Sequence, residues 1–158
     1  MRIAILGGTG DIGEGLALRL AADTSHTVVV GSRNESKAAD SADSYESRLT
    51  NHDIERAIEY ADNTTATIDA DVVVLAIPPH HVTDVINTLV EQEVLADQVL
   101  ITPAVGMRGD GAGLHYDPPS TGSITELVAK RSPDLTTVVG AFHNLAADRL
   151  ADLDADLG

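Results

Sequence analysis

An apolar segment near the N-terminus leads directly into a glycine-rich turn. Residues 3–6 read Ile-Ala-Ile-Leu, and the pattern Gly8-x-Gly10-x-x-Gly13 follows before a helical periodicity begins. In a strand–turn–helix unit, the first glycine permits a tight turn, the second lets the backbone approach a pyrophosphate, and the third lets helix and strand pack closely. The helix N-terminus adds free N–H groups and the positive end of its dipole. This order of elements predicts a dinucleotide-binding βαβ unit.

Apolar and amphipathic segments alternate along the rest of the chain, as is typical of βαβ units around a parallel sheet. The periodicity predicts strands at 3–6, 27–30, 71–77, 98–102 and 136–142, and a short strand within 64–68. It predicts helices at 12–20, 35–49, 54–61, 82–90 and 123–131. We therefore predict one α/β domain over residues 1–158, with a Rossmann-type doubly wound, mostly parallel sheet and helices on both faces.

Residues 102–123 show neither the helical nor the strand period. A segment of this length without periodicity inside a compact domain is usually a functional loop, the alternative being a mobile surface excursion. It follows a predicted strand, and open α/β sheets bind their ligands beyond the carboxyl ends of strands.

Composition limits the class of protein. The chain has 158 residues, of which 43% are hydrophobic, so it can bury a core. It has no apolar run approaching the roughly 20 residues that cross a membrane, and the first strand is too short for a signal peptide. The absence of cysteine excludes disulfides and thiolate chemistry. We expect a cytoplasmic protein.

The charge balance is strongly acidic. Asp and Glu total 25 against 10 Lys and Arg, and the formal net charge is −15. Such a surface repels itself unless salt screens it, which favours a protein of a salt-accumulating halophile over an acidic protein of an ordinary cytoplasm. No basic stripe is present to meet nucleic-acid phosphates.

The residues after the second predicted strand indicate which dinucleotide is bound. Chains that select NAD place Asp or Glu there to bind the ribose hydroxyls. This chain instead has Ser32 and Arg33, with Lys37 four residues farther on. A guanidinium and an ammonium at this position suit a 2′-phosphate, which predicts NADP. The alternative is that Arg33 only pairs with a nearby acid such as Glu35.

Two familiar kinds of catalytic site do not fit. Short-chain dehydrogenases need a Tyr four residues before a Lys, but Arg33 and Glu126 stand four residues before Lys37 and Lys130. The adjacent His80 and His81 do not make a metal site, because neighbouring side chains project in different directions and no third ligand stands at a suitable spacing.

Three further residues have an expected role and an alternative. His81 and His143 follow predicted strands and could orient a ring or donate a hydrogen bond, or could simply be satisfied, partly buried histidines. For Asp11, beside an anionic pyrophosphate, we expect the carboxylate to cap the following helix.

Several segments together suggest a family. They are Gly-Gly-Thr-Gly-Asp-Ile-Gly-Glu-Gly at 7–15, Val-Val-Val-Gly-Ser-Arg at 28–33 and Asp-Val-Val-Val-Leu-Ala-Ile-Pro at 71–78. With Thr-Pro-Ala-Val-Gly-Met at 102–107 and Ala-Phe-His-Asn at 141–144, the chain resembles NADPH-dependent reductases of the deazaflavin coenzyme F420, of a halophilic-archaeal type. The first two segments together are the specific ones, and the three later segments are shared with a wider group that includes pyrroline-5-carboxylate reductases.

The resemblance implies NADP and coenzyme F420 as the redox partners, with hydride passing directly between their rings and no assigned catalytic residue. It implies that the pyrophosphate is lined by Gly8, Thr9, Gly10, Asp11, Ile12 and Gly13, and that the 2′-phosphate is held by Ser32, Arg33 and Lys37. The nicotinamide would be bordered by Ile77, Pro78, His81 and Ala141, and the deazaflavin by Val105 and Met107.

The resemblance also implies that the family's C-terminal part, which helps to form the deazaflavin cleft and a dimer, is missing from residues 1–158. We therefore keep two alternatives open. One is an NADP-binding module without turnover. The other is an imine reductase resembling pyrroline-5-carboxylate reductase. A homodimer is possible.

The acidic composition makes stability dependent on salt. We expect the melting temperature to rise between about 0.1 M and about 2 M KCl, because the Debye length falls from about 10 Å to a few ångströms and screens the repulsion among carboxylates. Thermal unfolding followed by circular dichroism measures this. An unchanged melting temperature over this range would refute it.

Overall fold

Strands and helices alternate through most of the chain. In the computed structural model, which describes residues 1–157, the elements follow in the order β1 (Arg2–Leu6), α1 (Asp11–Asp23), β2 (Thr27–Ser32), α2 (Glu35–Asn51), β3 (Glu59–Asp62), α3 (Asn63–Ile68), β4 (Val72–Leu75), α4 (Pro79–Glu91), β5 (Val99–Thr102), β6 (Met107–Asp110), β7 (Gly113–Tyr116), α5 (Ile124–Ala129), β8 (Thr137–Gly140) and α6 (Ala147–Ala151). None of the helices in this range is long and apolar enough to cross a membrane.

Six of the strands form one parallel sheet in the order β3-β2-β1-β4-β5-β8. The chain winds outward from β1 in one direction through β2 and β3, and then in the other through β4, β5 and β8. The reversal leaves a crevice beyond the carboxyl ends of β1 and β4, which is where doubly wound sheets bind ligands. The predicted Rossmann-type architecture is confirmed.

Each face of the sheet is covered by helices. Ile3, Ile5, Val28 and Val30 point to the face covered by α1, α2 and α6, and Ala4 belongs to the opposite core, with α3, α4 and α5. All five residues are at most 5% exposed. Since both faces are buried, the strands are continuously apolar instead of alternating, and this is why they could be recognised in the sequence.

The segment between α2 and β4 differs from the prediction. No helix forms at 54–61, and 63–68 is the helix α3 instead of a strand. The chain turns at Asp53, which has a positive φ of 59°, and then runs extended into β3. The Asp62 carboxylate starts α3 by accepting from the N–H groups of Thr64 and Thr65, at 2.9 and 3.1 Å. This local cap overrides the β-branched composition of the segment.

The aperiodic segment 102–123 contains a hairpin that the sequence did not predict. β6 and β7 pair antiparallel, and the N–H of Asp117 donates to the carbonyl of Gly106 at 2.8 Å to close the base. Every residue of the two strands is exposed, including Leu114 at 74% and Tyr116 at 61%. The hairpin therefore projects from the carboxyl end of β5 without contributing to the core.

The C-terminal segment is fastened to α1 and α2 by arginines. The Arg19 guanidinium donates to the carbonyls of Leu150 and Ala155, at 3.2 and 2.7 Å, and Arg48 donates to that of Ala151 at 2.6 Å. A Cβ on Gly15 would lie 2.5 Å from the Leu150 Cβ, so the glycine allows α6 to sit against α1. This contact completes the core on that face.

Asp62 makes the stability of the fold sensitive to acid. The hydroxyl of Thr65, and then the N–H groups of Thr65 and Thr64, hold the pKa of its carboxyl below the ordinary value. A lowered pKa in the folded state stabilises the protein above the unfolded-state pKa of about 4, and this contribution is lost as the pH falls through the folded-state value.

Asp62→Ala is expected to lower the free energy of unfolding at pH 7 by about 1 kcal/mol, the usual value of an N-cap. Asp62→Asn is the matched control, because an asparagine also caps. Urea unfolding at about pH 7, 5 and 3 should show the same deficit for the alanine variant at the first two values and a smaller one at the third. An equal deficit at all three, or an equally unstable asparagine variant, would contradict the capping role.

Candidate functional site

A cleft of about 870 Å³ opens at the carboxyl edge of the sheet, at the reversal of strand order between β1 and β4. It is bounded by the turn after β1, the ends of β2 and β3, the turn after β4 and one side of α4. Its lining consists of Gly7, Thr9, Gly10, Ser32, Arg33, Asn34, Lys37, Asp62, Asn63, Thr64, Ala76, Ile77, Pro78, His81, Asp84, Val85, Thr88 and Leu89.

The glycine turn is held by contacts that exclude larger side chains. The residue in the left-handed region is Gly7, with φ of 76°, so this glycine makes the tight turn that we had assigned to Gly8. A Cβ on Gly8 would lie 2.8 Å from the Ile5 carbonyl oxygen, and one on Gly13 would lie 2.5 Å from that of Gly7. Gly13 thus brings α1 directly against the turn, as the motif predicted.

The start of α1 faces the cleft without a capping side chain. Gly10 occupies the N-cap position and makes no side-chain hydrogen bond, and Asp11 is the first helical residue. The expectation that Asp11 caps this helix is therefore wrong, because its carboxylate lies one position too late to do so. A Cβ on Gly10 would meet only the Gly7 carbonyl oxygen, at 3.5 Å, and would otherwise occupy open space. An anion could take this space and accept from the first N–H groups of α1, where Asp11, Ile12 and Gly13 lie.

Tyr45 supports the glycine turn from behind. Its hydroxyl donates to the Gly8 carbonyl oxygen at 2.9 Å, and the residue is only 4% exposed. Burial raises the pKa of the phenol, so the hydroxyl keeps its proton and its role as a donor. Sequence reasoning missed this residue, although Ala38, Ala42, Tyr45 and Leu49 form the buried face of α2 at helical spacing.

The predicted group of Ser32, Arg33 and Lys37 lies on one wall of the cleft. Ser32 ends β2 and is buried, while the two cations are exposed at the start of α2. Asn34 begins this helix by accepting from the backbone N–H of Lys37 at 3.4 Å. Within residues 1–157, neither Arg33 nor Lys37 forms an ion pair, and Arg33 does not pair with Glu35. The wall therefore offers two cations without protein partners to an anionic ligand.

The opposite wall is formed by the turn after β4 and by α4. Ile77, Pro78 and His81 lie there, as the resemblance implied, together with Val85 and Thr88, which we had not predicted. The His80 and His81 rings contact each other, with centroids 4.1 Å apart and planes tilted by 48°, so the expectation that they project apart was wrong. Over the described part of the chain, no group of three or more His, Asp or Glu side chains could hold a metal ion.

Other candidate residues lie at the same edge of the sheet but not in the lining of this cleft. Val105 and Met107 follow β5 and are 37% and 43% exposed. Ala141 follows β8, and its N–H donates to the Thr102 carbonyl oxygen at 3.3 Å. His143 is exposed just beyond it. The cleft lining thus brings together the candidates Thr9, Gly10, Ser32, Arg33, Lys37, Ile77, Pro78 and His81. Outside the lining, Gly8, Asp11, Ile12 and Gly13 lie in the glycine turn and the start of α1, and the candidates from the second half follow β5 and β8.

Asp62, Asn63 and Thr64 complete the lining next to Ser32. Ser32 and Asp62 are paired in the β2–β3 register, which brings these residues to the cleft. The sequence interpretation missed them because it put the strand within 64–68 and a helix before it. Tyr60 is exposed and Ala61 is buried, but an alternation over two residues is too short a signal to place the strand correctly.

The family relationship is clear from sequence. Residues 2–106 match the family model described as NADP oxidoreductase, coenzyme F420-dependent. An F420-dependent NADP reductase of Methanocaldococcus jannaschii is 36% identical over 98% of this chain and 68% of its own length. One of Methanothermobacter thermautotrophicus is 35% identical over 97% of this chain and 65% of its own length. The chain thus spans about two thirds of these relatives.

Solved structures are consistent with this family relationship. A crystal structure described as that of an F420-dependent NADP reductase from Arthrobacter sp. superposes with a TM-score of 0.72 at 25% identity, covering 96% of this chain and 67% of that one. The malate dehydrogenase of Salinibacter ruber, at a TM-score of 0.65 and 18% identity over 89% of this chain and 44% of that one, shares the fold alone. Together with the extent of the family match, these similarities show that the chain belongs to the family of F420-dependent NADP reductases.

Proposed function

We propose that this chain is an oxidoreductase that transfers hydride between NADP(H) and the deazaflavin coenzyme F420. The observation that carries the proposal is the pair of free cations, Arg33 and Lys37, on the cleft wall after β2, where an NAD-selective chain has a carboxylate. The names of the relatives support F420 as the second redox partner.

The cleft fits the polar half of NADP. The open space over Gly10 and the uncapped start of α1 suit the pyrophosphate. Ser32, Arg33 and Lys37 suit the 2′-phosphate, since a guanidinium can bind it with two parallel hydrogen bonds. From this end of the cleft, a dinucleotide laid across the switch point reaches the turn that carries Ile77 and Pro78. These two residues offer an apolar wall for the nicotinamide.

The catalytic contribution of the protein is positioning. When bound, NADPH supplies a hydride and F420 accepts it, so the protein must hold the two rings in contact. Ile77 and Pro78 border one ring position, and the exposed Val105 and Met107 offer apolar contact to the other ring. No side chain has to move a proton at the carbon atoms that exchange hydride, and we assign no catalytic acid or base.

The charge of the chain bears on the compartment and on the partners that we propose. The net charge of −15 supports a protein that works in the cytoplasm of a salt-accumulating cell, with small molecules as its partners and with neither nucleic acid nor membrane. A homodimer would be consistent with the apolar side chains exposed at the carboxyl edge of the sheet, such as Leu114 and Tyr116.

The direct test is the bleaching of oxidised F420 by NADPH in about 2 M KCl, followed by its absorbance. Turnover with NADPH and little turnover with NADH is the expected result. Binding of NADPH without any turnover would favour an NADP-binding module.

Arg33→Ala is expected to weaken NADPH binding by about ten- to a hundredfold, since hydrogen bonds to charged groups contribute about 1.5–3 kcal/mol. NADH binding should change little. Arg56→Ala is the matched control, because Arg56 is exposed and lies outside the cleft but carries the same charge. Calorimetry measures the dissociation constants of NADPH and NADH for each of the two variants. Equal losses for the two nucleotides, or an equal effect of the control, would count against the proposed 2′-phosphate site.

A further inference from the structure

Asn63 is a polar residue of the cleft lining that the proposal above does not use. Asn63 follows Asp62 directly, and Asp62 is paired with Ser32 in the sheet. The register therefore places Asn63 beside the end of β2, on the same wall as Arg33 and Lys37. An amide there is close to the position expected for the 2′-phosphate.

The amide of Asn63 is buried at its oxygen end, and its nitrogen end is free to donate. Its Oδ1 is buried without a hydrogen-bond partner, over Gly31 in β2. A Cβ on Gly31 would lie 3.2 Å from this oxygen, so the glycine leaves room for the side chain to lie over the strand. The Nδ2 atom is not among the buried unpaired atoms, and it donates to no other residue in the described part of the chain. A free donor therefore remains on a residue that lines the cleft.

The backbone N–H groups next to Asn63 do not compete for this role. The backbone N–H groups of Thr64 and Thr65, together with the Thr65 hydroxyl, all donate to Asp62, at 2.9, 3.1 and 2.5 Å. The Asp62 carboxylate is thereby engaged away from a bound anion, and the start of α3 has fewer N–H groups to offer. Two side-chain groups of this stretch that line the cleft, the Asn63 amide and the Thr64 hydroxyl, are left without a partner, and of these the amide is the one anchored over β2.

We propose that Asn63 selects NADP over NAD by donating a hydrogen bond from Nδ2 to the 2′-phosphate, as a neutral member of the site that also holds Ser32, Arg33 and Lys37. This inference rests on the proposed function. An amide nitrogen can donate a hydrogen bond to a phosphate oxygen, whereas a carboxylate of the same shape has no hydrogen to donate. Replacing the amide by a carboxylate should therefore reverse the preference for NADP over NAD. A carboxylate would repel the phosphate and accept from a ribose 2′-hydroxyl, as in NAD-selective chains.

The test measures binding of NADP⁺, NAD⁺ and adenosine 2′,5′-bisphosphate by calorimetry in the wild-type chain and in Asn63→Asp. We expect the ratio of NAD⁺ to NADP⁺ dissociation constants to fall by at least about tenfold in the variant, with the bisphosphate weakened in parallel and NAD⁺ unchanged or tighter. Asn87→Asp is the matched control, since Asn87 is exposed on α4 outside the cleft lining and gains the same charge. Its ratio should stay within about twofold of the wild type.

Asn63→Ala provides a second, uncharged test in case the carboxylate at a buried position prevents folding. It should weaken NADP⁺ and the bisphosphate several-fold and leave NAD⁺ unaffected, with a melting temperature close to that of the wild type. An unchanged ratio in both folded variants, or equal weakening of NADP⁺ and NAD⁺, would overturn the role of Asn63 while leaving the NADP site standing. If the wild-type chain does not prefer NADP⁺ at all, the proposed function fails first.

Discussion

The close packing of α1 against the glycine turn is the contact on which the rest of the site depends. Gly13 touches the carbonyl of Gly7 at a distance that no Cβ would allow, and Gly7 itself needs a backbone conformation that few other residues adopt. This contact directs the first turn of α1 at the crevice between β1 and β4. Tyr45 holds the same turn from the other side through the Gly8 carbonyl, so the loop is fixed between two helices.

Positive charge is scarce in this molecule, and several of its ten cations have a clear role. Arg19 on α1 and Arg48 on α2 fasten the C-terminal segment to these two helices. Arg2 pairs with Glu59 at 2.6 Å at the far end of the sheet. Arg33 and Lys37 are left without acidic partners within residues 1–157, although the chain has 25 acidic residues. An acidic surface around a small cationic wall favours the binding of anions at that wall.

The two halves of the candidate site differ in how they are built. The nucleotide half is a concave cleft formed by tight turns and the ends of β2 and β3, beside the buried central strands β1 and β4. The other half, with Val105 and Met107, lies on an exposed segment that leads into a hairpin with no buried residue. A rigid cleft suits the recognition of a defined anion, whereas an exposed apolar edge suits contact with a flat ring or with another surface.

The sequence by itself determined the fold class, the glycine turn, the helix α2 and the cationic group after β2, because each depends on local signals. Buried parallel strands are continuously apolar, glycines mark close approach, and a missing carboxylate is visible in the chain. The part around β3 could not be read in this way. A four-residue edge strand carries almost no periodic signal, and its position follows from pairing with β2.

Only the tertiary structure decided which side chains meet across the cleft. Asn63 is 31 positions from Ser32 in the sequence, yet the register between β3 and β2 puts them on one wall, and Gly31 makes the room for the amide. Likewise, Thr88 reaches the cleft because α4 packs over β4, and Tyr45 supports Gly8 because α2 packs over β2. Such contacts depend on the relative placement of elements that are distant in sequence, which local pattern and composition do not encode.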